Sequence, residues 1–165
     1  MVEHSTDQPS APPQDEFHAA MKRADTVALW EWNDARSNEP SQSEPAFHWR
    51  WQDVEPLFDQ AVAATDTNAS ERRVVNLKNP ALPADYIAAT TNINCGFQIL
   101  MPGEKARPHR HNLNALRFVI EGEGAATTVD GKSCPMEIGD LIITPAMTWH
   151  EHVHEGTEGR VVWMD

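Results

Sequence analysis

Long apolar runs are missing from this 165-residue chain. No stretch approaches the ~18 residues of a transmembrane helix, and the polar opening from Met1 to Pro9 is not a signal peptide, so the expected location is cytoplasmic. Basic residues are few, 13 Lys and Arg against 25 Asp and Glu, for a net charge of -12. That charge argues against nucleic acid and anionic membrane surfaces as partners. It would also repel an anionic small molecule, which would need a local cation inside its site. Cysteine is scarce. Cys95 and Cys134 follow no metal-binding or disulfide spacing and read as two buried, reduced thiols. There is no internal repeat, and the length suits one domain with a real core.

Residues 1–15 are rich in Pro, Ser, Gln and acids and read as a disordered tail. Residues 16–84 read as an N-terminal arm with short helices and a first strand. Within it Phe17, Ala20, Met21 and Ala24 form a helical stripe, Trp30 and Trp32 alternate with Glu31 in extended fashion, and 33–45 is a polar surface loop. A second helix is expected from Asp53 as N-cap, with Pro56 in its first turn and Val54, Leu57, Phe58, Ala61 and Val62 on one face. Four of the six tryptophans lie in this first third. They suit packing of the arm against a sheet or another subunit.

From Arg72 onward short β-like runs alternate with turn residues. They are 73–77, 88–100, 116–121, 125–129, 132–136, 141–144, 148–154 and 160–164, with Asp130-Gly131 as a two-residue hairpin turn. Such a series indicates an all-β sandwich or barrel, placed here at residues 85–165.

Three histidines carry the chemistry. Alternate residues of an extended strand share a face, so His109 and His111 can present two imidazoles side by side. His150 on a neighbouring strand would complete a half-shell around a metal ion, leaving positions open for substrate and dioxygen or water. Any one of them alone would read as an ordinary core or surface histidine.

Gly103-x5-His109-x-His111, continuing to Gly122, and Gly139-x5-Pro145-x4-His150 resemble the two motifs of the cupin superfamily. The chain is most similar to the gentisate 1,2-dioxygenase group, with its salicylate and 1-hydroxy-2-naphthoate dioxygenases. The stretches that carry this likeness include Glu71-Arg72-Arg73-Val74, Gly96-Phe97-Gln98-Ile99, Ala115-Leu116-Arg117-Phe118, Thr148-Trp149-His150-Glu151-His152 and Val161-Val162-Trp163-Met164-Asp165. The resemblance implies an all-β fold, a single cupin (a jelly-roll β-barrel) preceded by the short helical arm. It implies Fe(II) held by His109, His111 and His150. It implies insertion of both atoms of O2 into a hydroxybenzoate, with cleavage between the carboxyl- and hydroxyl-bearing carbons (gentisate to maleylpyruvate). Ala115, where a generic cupin has a carboxylate ligand, fits the all-histidine habit of the group. The group carries two cupins in about twice this length, so the chain is expected to be the N-terminal, metal-bearing half, without the second barrel.

Arg117 interrupts an otherwise apolar strand and is the expected grip on a substrate carboxylate, since guanidinium can form two parallel bonds. The bland alternative is an outward salt bridge. Arg73 is a second candidate cation, on the resemblance, while Arg72 reads as solvated. Gln98 could hydrogen-bond a substrate oxygen or be a satisfied structural amide. Gly96, two residues before it, would leave room for the ring. His152, on the same face as His150, could serve as a hydrogen-bond donor or proton shuttle. His154 reads as rim or structural, and Trp149 as packing the opposite face.

Several alternatives stay open. A non-catalytic cupin would bind metal or a small acid without oxygen uptake. A metal-dependent isomerase or hydrolase would turn over indifferently to oxygen, and an orphan fragment would not fold alone. The expected partners are an aromatic hydroxy acid and O2, with a homo-oligomer or a separate chain carrying the C-terminal cupin as further possibilities.

Overall fold

In the computed structural model, residues 14–26, 28, 30 and 44–165 are described. They fall into two compact units, divided between residues 43 and 44. Residues 1–13 of the expected 1–15 tail, Trp32 and residues 33–43 of the expected 33–45 loop lie outside the described residues, while Gln14 and Asp15 are helical rather than tail. In the first unit, helix α1 (Gln14–Arg23) follows the expected stripe, with Asp15 and Glu16 in its first turn and Lys22 and Arg23 in its last. That order complements the helix dipole. Phe17 stacks on Trp30 with ring centroids 6.0 Å apart.

The second unit begins with α2 (Trp51–Val54), α3 (Pro56–Ala64) and α4 (Thr67–Ser70). Asp53 is not an N-cap. It lies inside α2 with its carboxylate 2.6 Å from Arg50 Nε, and Glu55 precedes α3 without a side-chain cap. Pro56 does occupy the first turn of α3, where its missing N–H costs nothing. The capping role falls to Asp66, whose Oδ1 accepts from the amides of Asn68 and Ala69, each at 2.9 Å.

Nine strands follow: β1 (Val74–Asn76), β2 (Gly96–Leu100), β3 (Lys105–His109), β4 (Ala115–Glu121), β5 (Ala125–Val129), β6 (Lys132–Met136), β7 (Leu141–Thr144), β8 (His150–His154) and β9 (Val161–Met164). They form two antiparallel sheets, ordered β1-β2-β9-β4-β7 and β3-β8-β5-β6. This is the expected jelly-roll architecture. Residues 88–95 are loop rather than strand, and β3, of which only the His109 end was read as extended, contains Pro108 and a register shift against β8. Asp130 and Gly131 have φ of 45° and 82°, and Val129 pairs with Lys132. The two-residue hairpin is therefore as expected.

The two faces of the five-stranded sheet meet different neighbours. Leu100, Val119, Ile142, Val161 and Trp163 pack inward with Ala125 and Met136 of the second sheet. On the outer face, Val54 and the fully buried Phe58 cover Phe97, Ile99 and Val162. Leu116, Phe118, Leu141, Ile143 and Met164 are exposed on the outer face of β4, β7 and β9, paired Leu116 with Ile143 and Phe118 with both Leu141 and Met164. Their alternation turns Arg117 and Val119 inward. Cys95 and Cys134 are free but only half-buried, less enclosed than their apolar surroundings suggested.

Candidate metal centre

His109 ends β3, His150 opens β8, and the two are paired across the strands. His111 lies two residues beyond the end of β3, not on it as strand alternation suggested. The loop still returns it to the group, and one ligand nitrogen from each of His109, His111 and His150 lies within 4.8 Å of the others. The ring centroids of His109 and His111 stand 4.2 and 4.8 Å from that of His150.

Each of the three rings is oriented by its own backbone. His109 Nδ1 is 2.8 Å from the carbonyl of Arg107, His111 Nδ1 is 2.8 Å from that of Leu113, and His150 Nδ1 is 3.0 Å from that of Thr148. A carbonyl only accepts, so Nδ1 carries the hydrogen in all three and each Nε2 keeps its lone pair. His150 Nε2 is buried without a protein partner. Burial, reinforced by the charge of Arg117, pushes the His150 imidazole down to about 4, and burial with the charge of Arg72 also lowers His109. Three imidazoles with Nδ1 tied to the backbone and Nε2 lone pairs available, that of His109 within 3.2 Å of Arg72 Nη1, suit a metal ion. The residues present fit one.

Arg117 faces inward, with its side chain 3 % exposed, and is not an outward salt bridge. Its Nε lies 3.1 Å from Asp165 Oδ1, and its Nη1 donates to Thr144 Oγ1. Burial lowers the guanidinium and the Asp165 charge opposes that shift. Gln98 is 2 % exposed and its Nε2 has no protein partner. His152 is fully buried, its Nε2 is likewise unpartnered, and burial with the Arg117 charge holds it well below the usual imidazole range. Its ring packs against Trp163 at 5.0 Å and sits 5.8 Å from that of His150.

Two of the expected substrate contacts are engaged by neighbouring protein groups. Arg73 has no donor to spare. Its Nε and Nη2 bond the Thr65 carbonyl at 2.8 and 2.6 Å, its Nη1 and Nη2 hold Glu104 at 2.8 and 2.7 Å, and Nη1 also reaches the Ile99 carbonyl at 3.4 Å. A Cβ at Gly96 would meet Asn76 Oδ1 at 2.7 Å and Val74 Cγ1 at 2.9 Å. The room above Gly96 is thus taken by β1.

Arg72, expected to be solvated, brings its Nη1 to 3.2 Å from His109 Nε2 and lines a cleft with Glu71, Arg107 and Pro108. The two arginines are adjacent in sequence and differ only in the way each side chain turns, so local pattern could not separate them. Asp165 and Thr127 were also missed. His154 is structural: its Nδ1 accepts from the Gly156 amide and its Nε2 donates to the Gly159 carbonyl, both at 3.1 Å. Trp149 is half-exposed, with the Arg110 guanidinium 5.1 Å above its ring.

Residues 96–165 match the cupin domain family. A gentisate 1,2-dioxygenase from Ralstonia sp is 44% identical over 155 residues, 93% of this chain and 43% of that protein. Gentisate 1,2 dioxygenase 1 from Aquipseudomonas alcaligenes is 36% identical over 151 residues, 91% of this chain and 43% of that protein. Among solved structures, a variant of the salicylate 1,2-dioxygenase from Pseudoaminobacter salicylatoxidans superposes with a TM-score of 0.74 at 30% identity, covering 96% of this chain and 45% of that one. The chain therefore spans somewhat less than half the length of these relatives.

Proposed function

We infer that the chain belongs to the cupins, in the group of the gentisate and salicylate 1,2-dioxygenases, and from that premise propose that it is the metal-bearing half of a ring-cleaving dioxygenase acting on gentisate or a related hydroxybenzoate. The observation that carries this reading is the histidine trio, three imidazoles with Nδ1 tied to the backbone and their ligand atoms gathered within 4.8 Å. Bound by His109, His111 and His150, Fe(II) would supply a Lewis acid for the substrate's oxygens and the electrons that activate O2.

The remaining work falls to the protein. Arg117 supplies the buried positive charge that an anionic acid needs inside a protein of net charge -12. Gln98 Nε2 is an unpaired buried donor, which a substrate oxygen would satisfy. His152 Nε2 is a second unpaired buried atom, which a hydrogen bond with the phenolic group would satisfy. For gentisate the expected outcome is maleylpyruvate, with both oxygen atoms retained in the product.

The test is anaerobic loading with Fe(II), followed by oxygen uptake with gentisate, salicylate and 1-hydroxy-2-naphthoate, using His109→Ala as control. Uptake that the control abolishes supports the reading. The buried pairing of Arg117 with Asp165, which engages the proposed carboxylate grip, favours one alternative, a cupin that holds metal or a small acid without turnover. Stoichiometric iron binding with no uptake on any of the three acids would select it.

A further inference from the structure

Thr127 lies in the middle of β5, directly across from His152 on β8, and is completely buried. Its Oγ1 has two neighbours: His152 Nδ1 at 2.8 Å on one side and Met136 Sδ at 3.3 Å on the other. A hydroxyl has a single hydrogen to give, and a thioether sulfur can only accept. If the hydroxyl hydrogen went to His152 Nδ1, the sulfur would be left without a donor and only one bond would form. If it goes to Met136 Sδ, the oxygen is free to accept from Nδ1–H and both contacts are made. The second arrangement satisfies every atom in the chain of three, and buried groups settle where their hydrogen-bonding capacity is used.

We propose that Thr127, itself oriented by Met136, is a positioning residue that fixes His152 as the Nδ1–H tautomer, so that its Nε2 meets the substrate as a hydrogen-bond acceptor. The consequence for catalysis rests on the dioxygenase reading of the site, but the tautomer itself does not. A carboxylate in the place of Thr127 would stabilise an imidazolium. The neutral hydroxyl–thioether pair instead selects between the two tautomers of the ring. An acceptor at Nε2 can receive the hydrogen of a substrate's hydroxyl, while a donor there would compete with it. Packing of His152 against Trp163 at 5.0 Å holds the plane of the ring while the hydroxyl selects its tautomer.

The experiment reads the ring nitrogens directly. The full chain, labelled with ¹⁵N-histidine and loaded with diamagnetic Zn(II), is examined by long-range ¹H–¹⁵N spectroscopy, with the His152 signals assigned by their loss in His152→Gln. The wild-type protein should show a protonated Nδ1 and a bare Nε2. Met136→Leu, which keeps the volume but removes the acceptor sulfur, should shift His152 toward the Nε2–H form, and so should Thr127→Val. Thr127→Ser should retain the wild-type pattern. A wild-type His152 protonated at Nε2, or a Met136→Leu spectrum identical to wild type, overturns the proposal, and both readings remain available if Thr127→Val does not fold. In oxygen uptake with gentisate, Thr127→Val and Met136→Leu should each lower kcat by about 10- to 100-fold, the usual cost of losing a ligand-orienting partner, with KM within about twofold. A kcat for Met136→Leu equal to wild type counts against the role of the tautomer in turnover. Absence of uptake in the wild-type chain would sink the dioxygenase reading and leave the tautomer result standing.

Discussion

Arg117 Nε lies 3.1 Å from Asp165 Oδ1, joining the inner face of β4 to the residue that follows β9. The contact is an ion pair and not a directed hydrogen bond, since neither atom has a hydrogen-bond partner. Burial raises the Asp165 carboxyl while Arg117 pulls it back. The Arg117 charge favours the ionised form of Asp165, and the carboxylate in turn offsets the cost of burying a guanidinium that stays charged. Asp165→Asn strands a buried guanidinium and should cost about 3 kcal/mol in urea unfolding, within the range for breaking a buried pair. A loss no larger than that of an exposed pair would show that water reaches this contact.

Loss of any one of His109, His111 and His150 to Ala should abolish stoichiometric Fe(II) retention after gel filtration, measured by elemental analysis. His152→Ala should keep the metal and lose turnover. Those opposite results would separate the residues that hold the ion from the one that faces the substrate.

Arg73→Met should destabilise the protein by about 3 kcal/mol through the stranded Glu104 carboxylate, while the folded fraction keeps its KM for a hydroxybenzoate. The side chains of this pair are 2 % and 16 % exposed, so solvent screens it little. A raised KM with unchanged stability would restore Arg73 to the substrate site.

Acid should weaken the metal-free protein in two stages. His150 is pushed down to about 4 in the folded state, against an ordinary value of 6.5. The unfolded chain therefore takes up this proton first, and stability is full above about pH 6.5 and falls as pH drops toward 4. Burial alone would raise the Glu104 carboxyl, but its bonds from Arg73 and the Met101 amide outweigh that and hold it low. Its contribution is present above its unfolded value of 4.5 and is lost as pH falls through its lower folded value. Urea midpoints that stay flat from pH 7 to 4 would contradict this account of His150.

Gly122→Ala should be among the most damaging single-methyl additions. Gly122 has φ +80°, and a Cβ there would stand 2.0 Å from the Arg160 carbonyl oxygen, which is backbone and cannot swing away. A cost of about 3 kcal/mol is expected from strain and overpacking together. A melting temperature within a degree of wild type would mean that the β4–β5 turn can relax.

Much of this fold is legible in the sequence because alternation and turn chemistry are local. Strands β5, β6 and β7 fall where the pattern places them, and Asp130-Gly131 turns as its residue types demand. Strand β3 is hidden because Pro108 breaks its pattern, and its pairing with β8 is long-range. The histidine trio is legible because two motifs fix it. Arg73 and Arg72 exchange their expected surroundings because the deciding partner, Glu104, lies 31 residues from Arg73 in sequence. Thr127 and Asp165 escape notice for the same reason: each matters only through a residue on another strand.

Strands β2 and β4 do not pair with each other. Both reach the five-stranded sheet through β9, which binds one along each edge. During synthesis the first eight strands can therefore leave the ribosome with that sheet still in two pieces, and it can be joined only when residues 161–164 emerge. Pairings over such separations are slow to form, because the loop-closure entropy is lost before any contact rewards it. The edges of β2 and β4, with backbone N–H and C=O groups unpaired, stay open in that interval and are templates for pairing with another chain.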